Sequence, residues 1–155
     1  MSLESVRQFF AERAPDIGII ELAESTATVA QAARAHYVKP GQIAKTLSLK
    51  VKDRVILIVT CGDLRLDNRK LKAVLGAKAR MLSTDEVVSW TGHPVGGVCP
   101  FGLETPLQVL CDVSLRQYDE VLPAAGSIYS AVRISPWLLA ELTDATWVDV
   151  CQPPD

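Results

Sequence analysis

One stretch constrains the fold more than any other: a polar–apolar alternation followed, after a short turn, by an unbroken apolar run. Thr46, Ser48 and Lys50 alternate with Leu47, Leu49 and Val51, the period-two signature of a half-buried strand. Asp53 supplies the turn. Val55-Ile56-Leu57-Ile58-Val59 then forms a continuous β-branched and aliphatic run, which predicts a strand covered on both faces. Together the two segments read as a β-hairpin.

Helical signals surround this hairpin. Leu3, Val6 and Phe10 fall at helical spacing, with Ser2 as N-cap, and predict a helix over about 3–14 that Pro15 and Asp16 end. Ile17, Ile19 and Ile20 suggest a short strand. Thr28 and Gln31 form a capping box at the head of an alanine-rich helix that stops before Lys39-Pro40-Gly41. Asp67 caps a helix presenting Leu71, Val74 and Leu75, closed by Gly76. A strand over 79–82 precedes a second capping box, Ser83 with Glu86. Strands are expected over 107–111, 121–125 and 129–134. Ser135-Pro136 opens the last helix, and the tail from Cys151 to Asp155 should fray. The elements lack a steady βαβ rhythm. The expectation is an α/β fold, a mixed barrel-like sheet surrounded by helices, forming one domain over 1–155.

With 48% hydrophobic and 22% charged residues in 155, the chain reads as an ordinary globular protein rather than a disordered or fibrous one. No apolar run approaches the roughly 20 residues a membrane span requires, and Met1-Ser2-Leu3-Glu4 lacks the layout of a secretory signal. A cytoplasmic location is the default expectation. Cys61, Cys99, Cys111 and Cys151 form no CxxC pair, and His36 and His93 are the only histidines. That is poor material for a metal site, and reduced, mostly buried thiols are expected. The net charge of −2 hides an asymmetry. Between Lys39 and Arg80, eleven Lys/Arg face three Asp/Glu, a net of +8. Such a segment either forms a local anion-binding surface or scatters over solvated faces.

Three features carry chemistry. Lys45 stands where a glycine-containing turn enters a strand. An ammonium there is either a solvated side chain or a group that neutralises phosphate or steadies an oxyanion. The segment from Gly92 to Gly102 holds His93, Gly96, Gly97, Val98, Cys99 and Pro100, and its glycines and prolines predict a shaped loop able to turn backbone N–H groups toward a ligand. The competing reading is a tight crossover. Gly126 and Ser127 follow a strand end where a ligand or another backbone can approach. His93 is a candidate base. A Cys99–His93 nucleophilic pair is conceivable, but no third group marks it. Asp112 either orients a ligand hydroxyl or closes a strand.

Taken in order, Gln42-Ile43-Ala44-Lys45-Thr46-Leu47, the Gly-x-x-x-Pro loop Gly96-Gly97-Val98-Cys99-Pro100, Asp112 with Ser114-Leu115, and Ala125-Gly126-Ser127 resemble the YbaK/EbsC family. This family is related to the editing domain inserted in bacterial prolyl-tRNA synthetases, and the resemblance runs from about Thr26 to Asp149. It implies hydrolysis of mischarged aminoacyl-tRNA, a small amino acid on tRNA for proline, by a free-standing deacylase without metal or organic cofactor. Lys45 is the position most tied to activity, and the Gly-x-x-x-Pro loop lines the pocket. The expected partners are the acceptor end of mischarged tRNA and, as a second candidate, an aminoacyl-tRNA synthetase. Neither DNA nor a membrane is expected. On this reading Lys45 holds the phosphate–ribose region or the ester oxygens. N–H groups near Gly96, Gly97 and Gly126 grip the carbonyl, and Cys99, at a loop position that varies between subgroups, either tunes specificity or only packs. The rival readings are a non-catalytic tRNA- or synthetase-binding module and a Cys99-dependent hydrolase.

Overall fold

The computed structural model describes residues 2–154. In chain order the elements are α1 (Ser2–Arg13), β1 (Ile19–Glu21), α2 (Val29–Ala35), β2 (Ile43–Val51), β3 (Arg54–Cys61), β4 (Arg65–Leu66), α3 (Asn68–Leu75) and β5 (Arg80–Met81). They continue with α4 (Thr84–Thr91), β6 (Gln108–Asp112), β7 (Leu122–Pro123), β8 (Ser130–Val132), α5 (Pro136–Thr143), β9 (Thr146–Val148) and β10 (Cys151–Gln152). The expected hairpin is β2–β3, antiparallel from Ala44↔Cys61 to Val51↔Arg54. β3 then pairs parallel with β6, and β6 parallel with β9. The main sheet is therefore mixed, in the order β5-β2-β3-β6-β9 with β7 also on β2. It is open and does not close into a barrel.

Both faces of the central strands are covered, as the Val55–Val59 run requires. Leu57, Val59, Cys61, Val109 and Cys111 pack with Val6 and Phe10 of α1 and Leu139 of α5. On the other face Leu49, Val51, Ile56, Ile58 and Leu110 pack with Leu71 and Leu75 of α3. Phe10 anchors the first layer, its ring 4.7 Å from that of Phe101 and 5.3 Å from that of Phe9.

Both capping boxes form. The Thr28 and Ser83 hydroxyls accept from the N–H groups of Gln31 and Glu86, whose side chains return the bond. Gly76 ends α3 at φ +79°. Two expectations change. Ser2 is already helical rather than an N-cap, and its hydroxyl donates to the Gly126 carbonyl at 2.6 Å and meets His93 Nδ1 at 2.5 Å. The tail does not fray throughout: Cys151 and Gln152 pair with Leu66 and Arg65, and Lys70 Nζ donates to the Cys151 carbonyl at 3.1 Å. Asp155 lies outside the described residues.

The end of α2 departs from the usual chemistry. The Tyr37 N–H donates to Arg34 O and the Val38 N–H to Ala33 O, the paired bonds of a Schellman ending, whose left-handed residue is ordinarily glycine. Here that residue is Tyr37, at φ +58°. A side chain in this conformation costs about 1–2 kcal/mol.

Truncation of the ring at the centre of the first core layer tests this packing. Phe10→Ala should lower unfolding free energy by about 3–5 kcal/mol, measured by urea titration. A loss below about 1 kcal/mol would mean that α1 is not docked as described.

Candidate functional site

β2 is bonded to β3 along its inner edge, but its outer edge is only partly paired. β7 covers Ile43 and Ala44, and β5 covers Leu49 and Lys50. Between them, the Ser48 carbonyl accepts from Leu82 N–H at 3.1 Å, so the polar backbone groups of Ser48 face outward. Strand alternation turns the N–H and C=O of Thr46 the same way, into a gap that no strand fills among the described residues.

A cavity of about 340 Å³ occupies this gap, within the usual range for small-molecule sites. Thr46, Leu47 and Ser48 line one side. Ala32 and His36 come from the α2 region, Val87 from α4, Gly96 and Val98 from the loop, and Ser130 and Ala131 from β8. Its walls are largely apolar and, among the described residues, include no carboxylate. Two wall residues carry buried polar atoms without a protein partner, Thr46 Oγ1 and His36 Nε2. Burial, reinforced by Arg133 against the weaker pull of Glu24, lowers the His36 pKa from its ordinary 6.5, so the ring is predominantly neutral at pH 7.

Lys45 also lines the cavity. Its ammonium donates to the carbonyls of Leu64 and Gly62, the latter at 3.4 Å. Burial lowers its pKa, while Cys151 and Asp63 oppose that shift. An ammonium has three donors, and these bonds fix the charge at the turn after β3.

The other residues singled out from sequence divide. Gly96 and Val98 join Lys45 in the cavity wall; Gly97, Cys99, Pro100, His93, Asp112, Gly126 and Ser127 do not line it. The adjacent glycines serve loop-to-loop packing. A Cβ on Gly96 would meet Ala27 Cβ at 2.9 Å, and one on Gly97 would meet the Ser127 backbone at 2.8 Å. Two of the N–H groups expected to grip a carbonyl have acceptors within the loops. Gly97 N–H already donates to Pro94 O at 2.9 Å and Gly126 N–H to Gly97 O at 3.0 Å.

His93 is fully buried, with Nε2 2.7 Å from the Phe101 carbonyl and 3.6 Å from Cys99 Sγ. Asp112, 1% exposed, accepts from Ser114 N–H at 3.0 Å and Val150 N–H at 2.8 Å, tying β6 to the tail. Ser127 Oγ lies 2.7 Å from Ser130 Oγ, bracing a residue that does face the cavity. Sequence reasoning missed His36, and it missed Thr46 as an open-edge residue. A capping box placed α2, but nothing local indicated that the residue ending that helix lines a cavity. Among the described residues no group of three or more His, Cys, Asp or Glu could hold a metal.

The basic segment does not form one patch. Lys50, Lys52, Lys78 and Arg80 surround a shallow cleft beside β5, whose Met81 lines the cavity. Arg80 is committed to Glu86, Nη1 to Oε1 at 3.0 Å, and this pairing drops the Glu86 carboxyl to about 2. Lys70 is paired with Asp149 at 3.1 Å. The uncompensated charge of the cleft is therefore carried by Lys50, Lys52 and Lys78.

A small mixed α/β fold with a carboxylate-free cavity at an open strand edge, a lysine in its wall and a basic cleft alongside defines the class of protein. The chain belongs to the aminoacyl-tRNA editing domain family, whose model matches residues 23–142. It is 46% identical over 154 residues to the uncharacterized protein YwhH of Bacillus subtilis (strain 168), covering 98% of each. The proline–tRNA ligase of Bacillus licheniformis is 28% identical over 115 residues, which is 72% of this chain but 20% of the ligase. A solved structure described as a candidate trans-editing enzyme for prolyl-tRNA synthetase superposes with a TM-score of 0.91 at 33% identity, covering 97% of both chains. No described helix is long and apolar enough to cross a membrane.

The thiols give a test of the geometry. All four cysteines are buried. Burial pushes Cys99, Cys111 and Cys151 up to about 12 and also raises Cys61. Thiolates are the reactive form, so a thiol reagent at pH 7–8 should label the folded protein at a small fraction of the rate seen in denaturant. Fast stoichiometric labelling of Cys99 without denaturant would contradict its placement.

Proposed function

We propose that this protein is a free-standing deacylase that hydrolyses the ester of mischarged aminoacyl-tRNA, a small amino acid on tRNA for proline. The observation that carries this reading is the cavity at the open edge of β2, with Lys45 in its wall and a width set by packed elements. Family membership and likeness to a candidate trans-editing enzyme support it. The non-catalytic binding module remains the rival, and turnover separates the two.

The reaction adds water to the ester carbonyl and breaks the bond to the ribose oxygen, releasing the amino acid and a tRNA with a free hydroxyl. Acyl transfer from a ribose needs less leaving-group assistance than amide cleavage does. The cavity offers positioning and charge stabilisation rather than a nucleophile. Thr46 N–H, freed by the gap between β7 and β5, donates to the carbonyl oxygen as it gains charge. Lys45 adds a positive field. His36 and Thr46, in the cavity wall, bound the space for the attacking water or the neighbouring ribose hydroxyl. Cys99 sits behind the loop in the core and shapes the wall only through Val98. Lys50, Lys52 and Lys78 attract the acceptor-stem phosphates. An aminoacyl-tRNA synthetase is a candidate second partner.

A deacylation panel tests this function. The protein should release alanine, serine, cysteine or threonine from tRNA for proline faster than proline itself. Lys45→Ala should lower kcat/KM by about a hundredfold or more, the scale of losing a transition-state donor, with the fold unchanged by circular dichroism. Failure to turn over any member of the panel would favour the binding module, and near-normal turnover by Lys45→Ala would remove that residue from the mechanism.

The cleft makes a separate prediction about binding. Lys50→Glu and Lys52→Glu should each raise KM for charged tRNA more than they lower kcat, the pattern of lost uniform binding, while Arg69→Glu, outside the cleft, should be close to neutral. A footprint of this size should give a log-affinity against log-salt slope on the order of −2 to −4, from about −0.9 per duplex and about −0.7 per single-strand phosphate. Equal effects at all three positions would assign recognition to the overall field of the segment instead.

A further inference from the structure

Tyr37 is the most exposed of the large hydrophobic side chains described, at 94% of its full accessibility. It also occupies the left-handed position of the α2 ending, φ +58°, where glycine is the residue that backbone geometry favours. A tyrosine there strains the backbone, and with its ring in solvent it contributes little packing in return. The fold therefore gives no reason for an aromatic residue at this point.

Its surroundings supply one. His36, the preceding residue, lines the cavity, so Tyr37 stands immediately beside the cavity wall. Arg34 and Lys39, both exposed, flank it in sequence. Arg133 and Glu24 are the other charged groups felt at His36. An exposed aromatic face with cationic neighbours, beside a cavity sized for a small acyl group, fits an unpaired nucleobase. Stacking on an aromatic ring is how single-stranded nucleic acid is held without base-specific hydrogen bonds.

We infer that Tyr37 is a stacking platform for an unpaired base at the single-stranded 3′ end of the tRNA, placing the terminal ribose at the cavity mouth. This rests on the proposed function for its ligand, but the binding measurement below does not depend on turnover. The platform is held off the protein by the left-handed turn, which directs the ring outward while leaving His36 in the cavity wall.

The test uses the full chain and uncharged RNA. Affinity would be measured for an RNA hairpin carrying the acceptor stem with its single-stranded 3′ tail, and for the same hairpin cut blunt. Tyr37→Ala should weaken binding to the tailed hairpin by about tenfold, the order expected for one lost stack, with an unchanged salt slope because no phosphate contact is removed. Tyr37→Phe should bind within about twofold of the parent. Tyr37→Gly should lose affinity as Tyr37→Ala does, yet raise the melting temperature by roughly 2–4 °C as the backbone strain is relieved. That opposition is one a merely structural tyrosine would not show. Blunt RNA should bind the parent and Tyr37→Ala equally.

Equal affinity of the parent and Tyr37→Ala for tailed RNA would overturn the inference, as would an equal loss on blunt RNA, which would place the ring against duplex. Loss of synthetase binding with RNA affinity intact would assign the ring to a protein interface and overturn it too. A protein that binds tailed RNA through Tyr37 but hydrolyses nothing would sink the deacylase reading and leave the platform standing.

Discussion

The site depends on the incomplete pairing of one strand. β2 is locked to β3 over its whole length, from Ala44↔Cys61 to Val51↔Arg54, and β3 is buried on both faces. A shift of one residue would exchange those faces and expose the core. The register is therefore fixed, and with it the two points where β7 and β5 attach to the other edge. The gap they leave is not flexible backbone. It is a segment of rigid strand with one row of polar groups unanswered, and leaving such groups buried and unpaired is costly. The unpartnered Thr46 hydroxyl and His36 Nε2 lie buried in wall residues of the same cavity. A cavity with an open strand edge between apolar walls is suited to a small polar ligand with an apolar end.

Electrostatics sharpens that reading. The cavity wall contains a lysine and no carboxylate, so general-base catalysis by Asp or Glu is absent from it among the described residues. The Cys99 thiol is removed from the wall and pushed up to about 12, and the His93 beside it is neutralised by burial and bonded to the Phe101 carbonyl. The nucleophilic pair conceivable from spacing is a packed core contact. What remains is a positive charge pinned by the Gly62 and Leu64 carbonyls, a free backbone donor and a neutral imidazole. These groups stabilise a developing oxyanion better than they generate a nucleophile, which suits an activated ester on the proposed reading.

Much of this fold was legible because its signals are local. The two capping boxes, the Gly76 ending and the alternation of β2 are each set within a few residues, and each formed. The gap was not legible, because it depends on where Leu122–Pro123 and Arg80–Met81 attach to a strand far away in the chain. The neighbours of the glycine loop were hidden for the same reason. Gly96 and Gly97 permit close approach, and in the fold Ala27 and Ser127 make it. Asp112 likewise reads as a polar residue at a strand end, and only the return of the tail to β6 reveals that it holds Val150. Lys45 stands out through its sequence neighbourhood, His36 only once α2 packs beside the cavity that both residues line.

Selectivity on the proposed reading has to come from two places. A cavity bounded by Leu47, Val87, Val98 and Ala131 can exclude a side chain too large for it, because packed walls yield poorly to overfilling. It cannot discriminate strongly among those small enough to enter, since each methylene difference is worth only about 1–3 kcal/mol. A deacylase relying on the cavity alone would hydrolyse correctly charged tRNAs bearing small amino acids. The missing discrimination must be supplied by the nucleic acid, through contacts outside the cavity that favour one acceptor end over another. The lysine cleft beside β5 and the exposed ring at the end of α2 are the features outside the cavity placed to do this. The first senses phosphate position and the second the unpaired end, so the acyl group would be tested by size only after the tRNA had been held by its backbone and its 3′ terminus.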